Sequence, residues 1–144
     1  MLLIGAALTI SFGRMIGSEK QGWILLATMA LLFGLGAAGV YVCESSGNPT
    51  LIAVSLNQAP TFSQPGGNIE GKEVRFGIGG SALFAEASTA SSDGAVDAMH
   101  DSFMPLSGAI LLGNMMVDEV IFGAPGSGLW GIHCSALSPS LSPD

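Results

Sequence analysis

Residues 81–103 read SALFAEASTASSDGAVDAMHDSF. Together with Gly79 and Gly80, the first part is a short, mostly apolar run of good helix formers. It breaks at residues 91–94, Ser-Ser-Asp-Gly, small and polar, and resumes with Ala95 and Val96. It closes on the more polar residues 97–102. The helical part is too short to cross a bilayer, which takes about 20 apolar residues. Longer hydrophobic segments lie on both sides of it. A short helix and a small-residue loop set between spans read as a re-entrant pore loop. Exposed backbone at membrane depth is tolerated only where protein buries it or where it lines a wet cavity. The competing reading is a buried helix-turn-helix that holds no ion.

Composition supports a membrane setting. Only 10% of the 144 residues are charged, against about 25% in soluble proteins, and the mean hydropathy is +0.57. The 21 glycines fit as well, because glycine is commoner in membrane helices than in soluble ones. A net charge of −7 speaks against a nucleic-acid partner, which needs clustered Lys and Arg. Cys43 and Cys134 are too few for a disulfide framework. With His100 and His133 they make no metal-ligand spacing.

Toward the N-terminus, residues 23–43 are uncharged and long enough to span. Trp23 and Tyr41 stand near the two ends, where interfacial aromatics belong. Gly34, Gly36 and Gly39 either allow close helix approach or fill a lipid-facing surface. Residues 18–22 form a polar turn with Arg14 and Lys20 within a few residues of both spans, and the positive-inside rule places it in the cytoplasm. Residues 1–17, apolar up to Arg14, read as the end of a preceding membrane helix whose start is missing. A short helix entering from the far side and an interfacial helix are the alternatives.

Residues 44–78 are an extracytoplasmic loop, punctuated by Pro49, Pro60, Pro65, Gly66 and Gly67. Residues 51–56 are expected to form a short helix or strand against the membrane surface. Glu70, Lys72, Glu73 and Arg75 alternate in charge. They read as a solvated loop with weak surface ion pairs in preference to a charged cap on the pore helix. Residues 104–131 form a second membrane helix. Asp118 and Glu119 either face an interior cavity or mark an exposed helix end. Residues 123–131, GAPGSGLWG, break that helix. Residues 132–144 are an atypical tail.

Enzymatic motifs are weak. Residues 126–131 match GxGxxG by letter, but no strand precedes them and no ribose-binding acid follows. There is no Walker lysine, so no nucleotide is expected on this chain. His100, Asp101 and Ser102 are triad residue types, yet neighbouring side chains diverge and a triad is assembled by geometry. Asp101 or Ser102 is expected to cap the next helix. His100 is expected to bond locally or to face the pore mouth. A helix entering the membrane brings its negative C-terminal end near the midplane, where it favours a cation. Loop carbonyls can then replace the ion's hydration shell. Gly94 allows a backbone closed to other residues, and Asp97 and Asp101 would concentrate cations at the mouth.

Three stretches carry a resemblance: GGNIEGKEVRFGI (residues 66–78), SSDGAVDAMHDSF (91–103) and DEVIFGAPGSGLWG (118–131). FGRMIG (12–17), KQGW (20–23) and ESSGNP (44–49) fit in the same order. The chain resembles the potassium-binding, channel-like A subunit of the bacterial Kdp potassium-transporting ATPase over residues 1–131. That family has four repeats of membrane helix, pore loop and membrane helix, and this stretch resembles the third, preceded by the tail of the second. The resemblance implies an all-α membrane protein with two to three transmembrane helices and one re-entrant pore helix with its filter loop. It implies potassium at Ser92, Asp93 and Gly94, with Asp97 and Asp101 at the pore mouth. The implied partners are membrane lipid and the ATP-hydrolysing B subunit, the C subunit and the small F subunit. The implied location is the bacterial inner membrane, multi-pass, and the implied role is ion passage without ATP hydrolysis. Asp93 stands where some members have Cys, Asp97 where Asn is common and Asp118 where Gly is expected. The serine- and proline-rich tail departs from the family's apolar helix and reads as a frameshift, a truncation or a short variant.

Overall fold

The computed structural model describes residues 2–117 and 119–123. Among them there are five α-helices and no named strand, only a single bridge between Thr61 and Gln64. The helices are α1 (Leu2–Met15), α2 (Glu19–Ser45), α3 (Pro49–Ala53), α4 (Gly77–Ala90) and α5 (Pro105–Met116). A 3₁₀ turn, His100–Ser102, precedes α5.

The axis of the structure is α2. Its 27 residues give a length of about 40 Å, enough for a hydrocarbon core of about 30 Å. Within the segment Glu19–Ala53, the most apolar window has a mean hydropathy of 2.0, and only 11% of it is buried by the rest of the chain. The core helix of a soluble protein would be mostly covered. Trp23 and Tyr41 are both exposed. The helix starts at Glu19, so residues 19–22 belong to it, and the turn falls at residues 16–18 instead of 18–22. Gly17 there has φ 71°, and the Ser18 amide donates to Gly13 O at 2.9 Å.

Glycines set the contact between α1 and α2. A Cβ on Gly22 would sit 2.7 Å from Thr9 O, and one on Gly13 2.9 Å from the Gly22 backbone. The two backbones touch directly, as small residues permit between apolar helices. The other face of α2 takes α4 and α5. At that junction Val40, Ala82, Ala85 and Leu111, with Ala98 and Phe103 from the segment between α4 and α5, form one core cluster. Of the other three α2 glycines, Gly36 and Gly39 meet neighbours, whereas Gly34 faces open space.

Helix starts follow local chemistry. Asn48 caps α3, accepting from the Thr50 amide at 2.9 Å, with Pro49 at the first helical position. That helix begins two residues before the expected position. Pro105 opens α5 in the same way. The expected cap of α5 by Asp101 or Ser102 is not formed. Met104 occupies the cap position without a side-chain bond of its own, and its amide donates to Glu44 Oε1 at 2.8 Å.

α5 ends at Met116, earlier than the second helix expected over residues 104–131. Glu119 and Phe122 have positive φ, 52° and 56°. The chain turns back, and Ile121 and Phe122 bury against Met29 and Ala90, with Leu2, Ala6 and Phe33 alongside. So Glu119 lies past the end of α5. Asp118, residues 124–131 of the expected break and the tail lie outside the described residues.

Candidate functional site

The loop after α4 is built by a turn. Ser91 caps α4, Ser92 takes φ 60°, and the Asp93 amide donates to Ser88 O at 3.1 Å. This is the geometry of a helix closed by a left-handed residue, with serine where glycine is usual. The left-handed conformation costs an ordinary side chain about 1–2 kcal/mol. Hydroxyls hold the turn in place. Ser88 Oγ donates to Ala95 O at 2.6 Å, Ser91 Oγ to Ala87 O at 2.6 Å, and Thr89 Oγ1 to Ala85 O at 2.9 Å.

Gly94 follows with φ 69°. Asp93, between the two, has no positive φ, so the backbone hand alternates along residues 92–94. Residues 93–96 are exposed, and a Cβ on Gly94 would meet nothing within 4 Å. The structure therefore brings Ser92, Asp93 and Gly94 together at the C-terminal end of α4, open on the surface of this chain.

Asp97 and Asp101 differ in burial. Asp101 is exposed on the 3₁₀ turn. Asp97 is half-buried, and its Oδ1 is buried without a hydrogen-bond partner. Burial raises its carboxyl above the usual aspartate range, with Glu73 adding to the rise and His100 opposing it. His100 packs edge-on against Phe103, ring centroids 5.7 Å apart.

A buried polar knot gathers at the C-terminal end of α2. Glu44 Oε2 meets Lys72 Nζ at 2.9 Å, with both side chains fully removed from solvent. Asn68 Nδ2 donates to the same oxygen at 2.8 Å and to Ser102 O at 2.9 Å. Lys72 Nζ also donates to Glu70 O at 3.3 Å and stands 4.2 Å from the Phe103 ring centroid. The end of α2, the residue 68–72 loop, the 3₁₀ turn and the start of α5 are thereby joined. The solvated-loop reading holds for the Arg75–Glu73 pair, which is exposed, and fails for Lys72.

The family model for the potassium-transporting ATPase A subunit matches residues 1–137. The chain belongs to that family. It is 52% identical over 132 residues to the potassium-transporting ATPase potassium-binding subunit of Sorangium cellulosum, which covers 92% of this chain and 23% of that protein. It is 51% identical over 134 residues to the subunit of that name from Granulibacter bethesdensis, covering 93% and 22%. For the one from Methylobacterium nodulans the figures are 54% over 129 residues, 90% and 21%. The chain thus spans under a quarter of the length of these relatives. The family match runs six residues past Gly131, into the stretch that reads as atypical.

Within the A-subunit family frame, two residues of this chain escaped sequence reasoning. No spacing rule links Glu44, at the end of an apolar helix, to Lys72 in a distant loop. Glu86 lies within the run that reads as mostly apolar. It is fully buried on α4. A charged letter inside an otherwise apolar helix was the available signal.

Proposed function

We propose that this chain supplies one pore segment of a potassium-translocating membrane subunit, with α4 as a re-entrant pore helix and residues 92–94 as its filter segment. The observation that carries the reading is the alternating backbone hand at Ser92 and Gly94, at the C-terminal end of α4 and uncovered by the rest of the chain. Such alternation turns neighbouring carbonyls to one side, as a dehydrating cation site requires. The partial negative charge of the helix end adds to the attraction. Asp97 and Asp101 stand at the mouth. In this reading α2 spans the membrane, α1 and α5 are parts of flanking spans, and the subunit is multi-pass in a bacterial inner membrane. ATP is hydrolysed by a separate B subunit, with C and F subunits completing the complex. This chain binds potassium as cargo and no nucleotide.

A filter needs carbonyls from every side of the ion, and this chain carries one such segment. In isolation it is therefore a non-conducting membrane fragment. Reconstituted into vesicles as a monomer, it gives no selective potassium flux. Placed as residues 1–131 into an intact A subunit within its complex, it supports growth at low external potassium. Failure of that chimaera, with normal assembly, would overturn the reading.

A further inference from the structure

Glu86 has no exposed surface, and neither carboxylate oxygen has a hydrogen-bond partner. The carboxyl lies so close to the backbone of Gly36 on α2 that a Cβ there would collide with it. α4 packs on both α2 and α5. No countercharge faces Glu86 from these helices. α5 has no ionisable side chain, and α4 has no other. On α2, Glu19, Lys20, Tyr41, Cys43 and Glu44 all lie near the two ends. Tyr41, the nearest of these to Gly36 along the helix, is about 7.5 Å further on. Lys72 is committed to Glu44. Glu119, Asp93 and Asp97, on the segments that follow α5 and α4, are like charges. An ionised carboxylate in such a place is strongly disfavoured.

We propose that Glu86 is a proton site. The α2–α4–α5 junction closes around the neutral acid, and closing it takes up one proton from water. On α5, Asn114 turns its Nδ2 to Thr89 Oγ1 at 3.3 Å; an amide beside the carboxyl is a neutral neighbour and no countercharge. Thr89 in turn donates to Ala85 O on α4. A metal cation is the poorer occupant. Among the described residues no group of three or more His, Cys, Asp or Glu converges, and the Gly36 backbone fills one side of the carboxyl. The proposal does not depend on ion passage through the loop. It makes the α2–α4–α5 packing sensitive to rising pH, because opening the junction releases the proton.

The test is infrared spectroscopy of the full chain in lipid vesicles at neutral pH, with ¹³C-labelled glutamate to separate Glu from Asp bands. The wild type should show a glutamate carboxylic-acid C=O stretch that Glu86→Gln loses and Asp97→Asn keeps. The stability of the wild type relative to Glu86→Gln should fall as pH rises above the usual glutamate range. If Glu86→Gln does not fold, titration of the wild-type band decides: it must persist above the usual glutamate range and disappear as a single proton as pH rises further. A wild-type spectrum with only carboxylate bands at neutral pH overturns the proposal, and so does an acid band that survives in Glu86→Gln.

Discussion

Glu44 and Lys72 meet at 2.9 Å with both side chains wholly out of solvent, and the same carboxylate caps α5 through the Met104 amide. One acid at the end of α2 thus organises a distant loop and a distant helix start. An anion at a helix N-terminus is favourable in itself. Removing one partner of such a pair leaves the other charge buried and unpaired, at a cost of about 3–5 kcal/mol. Lys72→Met should therefore destabilise the chain by that amount in thermal or denaturant unfolding. Arg75→Met, which breaks the exposed Glu73 pair, should change stability by less than about 1 kcal/mol. Equal effects would mean that the buried knot does not hold the loop.

Gly94→Ser tests the filter segment inside an intact A subunit. In this chain a side chain at residue 94 has room, so any effect comes from the positive φ or from the ion path. A left-handed serine costs about 1–2 kcal/mol. Potassium affinity should weaken, or rubidium should be admitted, while the complex still assembles. Gly34→Ser is the control, since its Cβ meets open space. Gly39 is unsuitable, because its Cβ would stand 2.9 Å from Ile110 Cδ1. Unchanged uptake and selectivity in Gly94→Ser would place the ion elsewhere.

Asp97 should reveal itself in the pH dependence of stability. Its carboxyl is raised by burial in the folded chain, so folding holds that proton more tightly than the unfolded chain does. The contribution is full below the usual aspartate range and is lost as pH rises through the higher folded value. The stability of the wild type relative to Asp97→Asn should therefore fall between acid and neutral pH. Melting temperatures of the two proteins across that window measure it, and a difference that grows with pH would contradict the assignment.

Ser18, in the turn between α1 and α2, reports topology. Arg14 and Lys20 flank it, and the positive-inside rule makes the turn cytoplasmic. With Cys43 and Cys134 replaced by serine, Ser18→Cys should resist an impermeant maleimide added to intact cells and react after lysis. Efficient labelling from outside would invert the topology.

Much of this protein is local, and local features are legible in sequence. The uncharged run of α2, the small polar break at residues 91–94 and the prolines that open α3 and α5 follow from chain-neighbour chemistry. The segments 66–78, 91–103 and 118–131 carry the family likeness in the same way. What tertiary structure decided is where charges go when segments far apart in the chain cover them. Lys72 looks like its solvated neighbours until the end of α2 and Phe103 enclose it. Glu86 looks like one polar letter in an apolar helix until Gly36 and α5 close over it. The early end of α5 was equally hidden, because residues 119–123 leave the helix to bury Ile121 and Phe122 against α1 and α2. Burial depends on which distant surface arrives, and neither periodicity nor spacing records that.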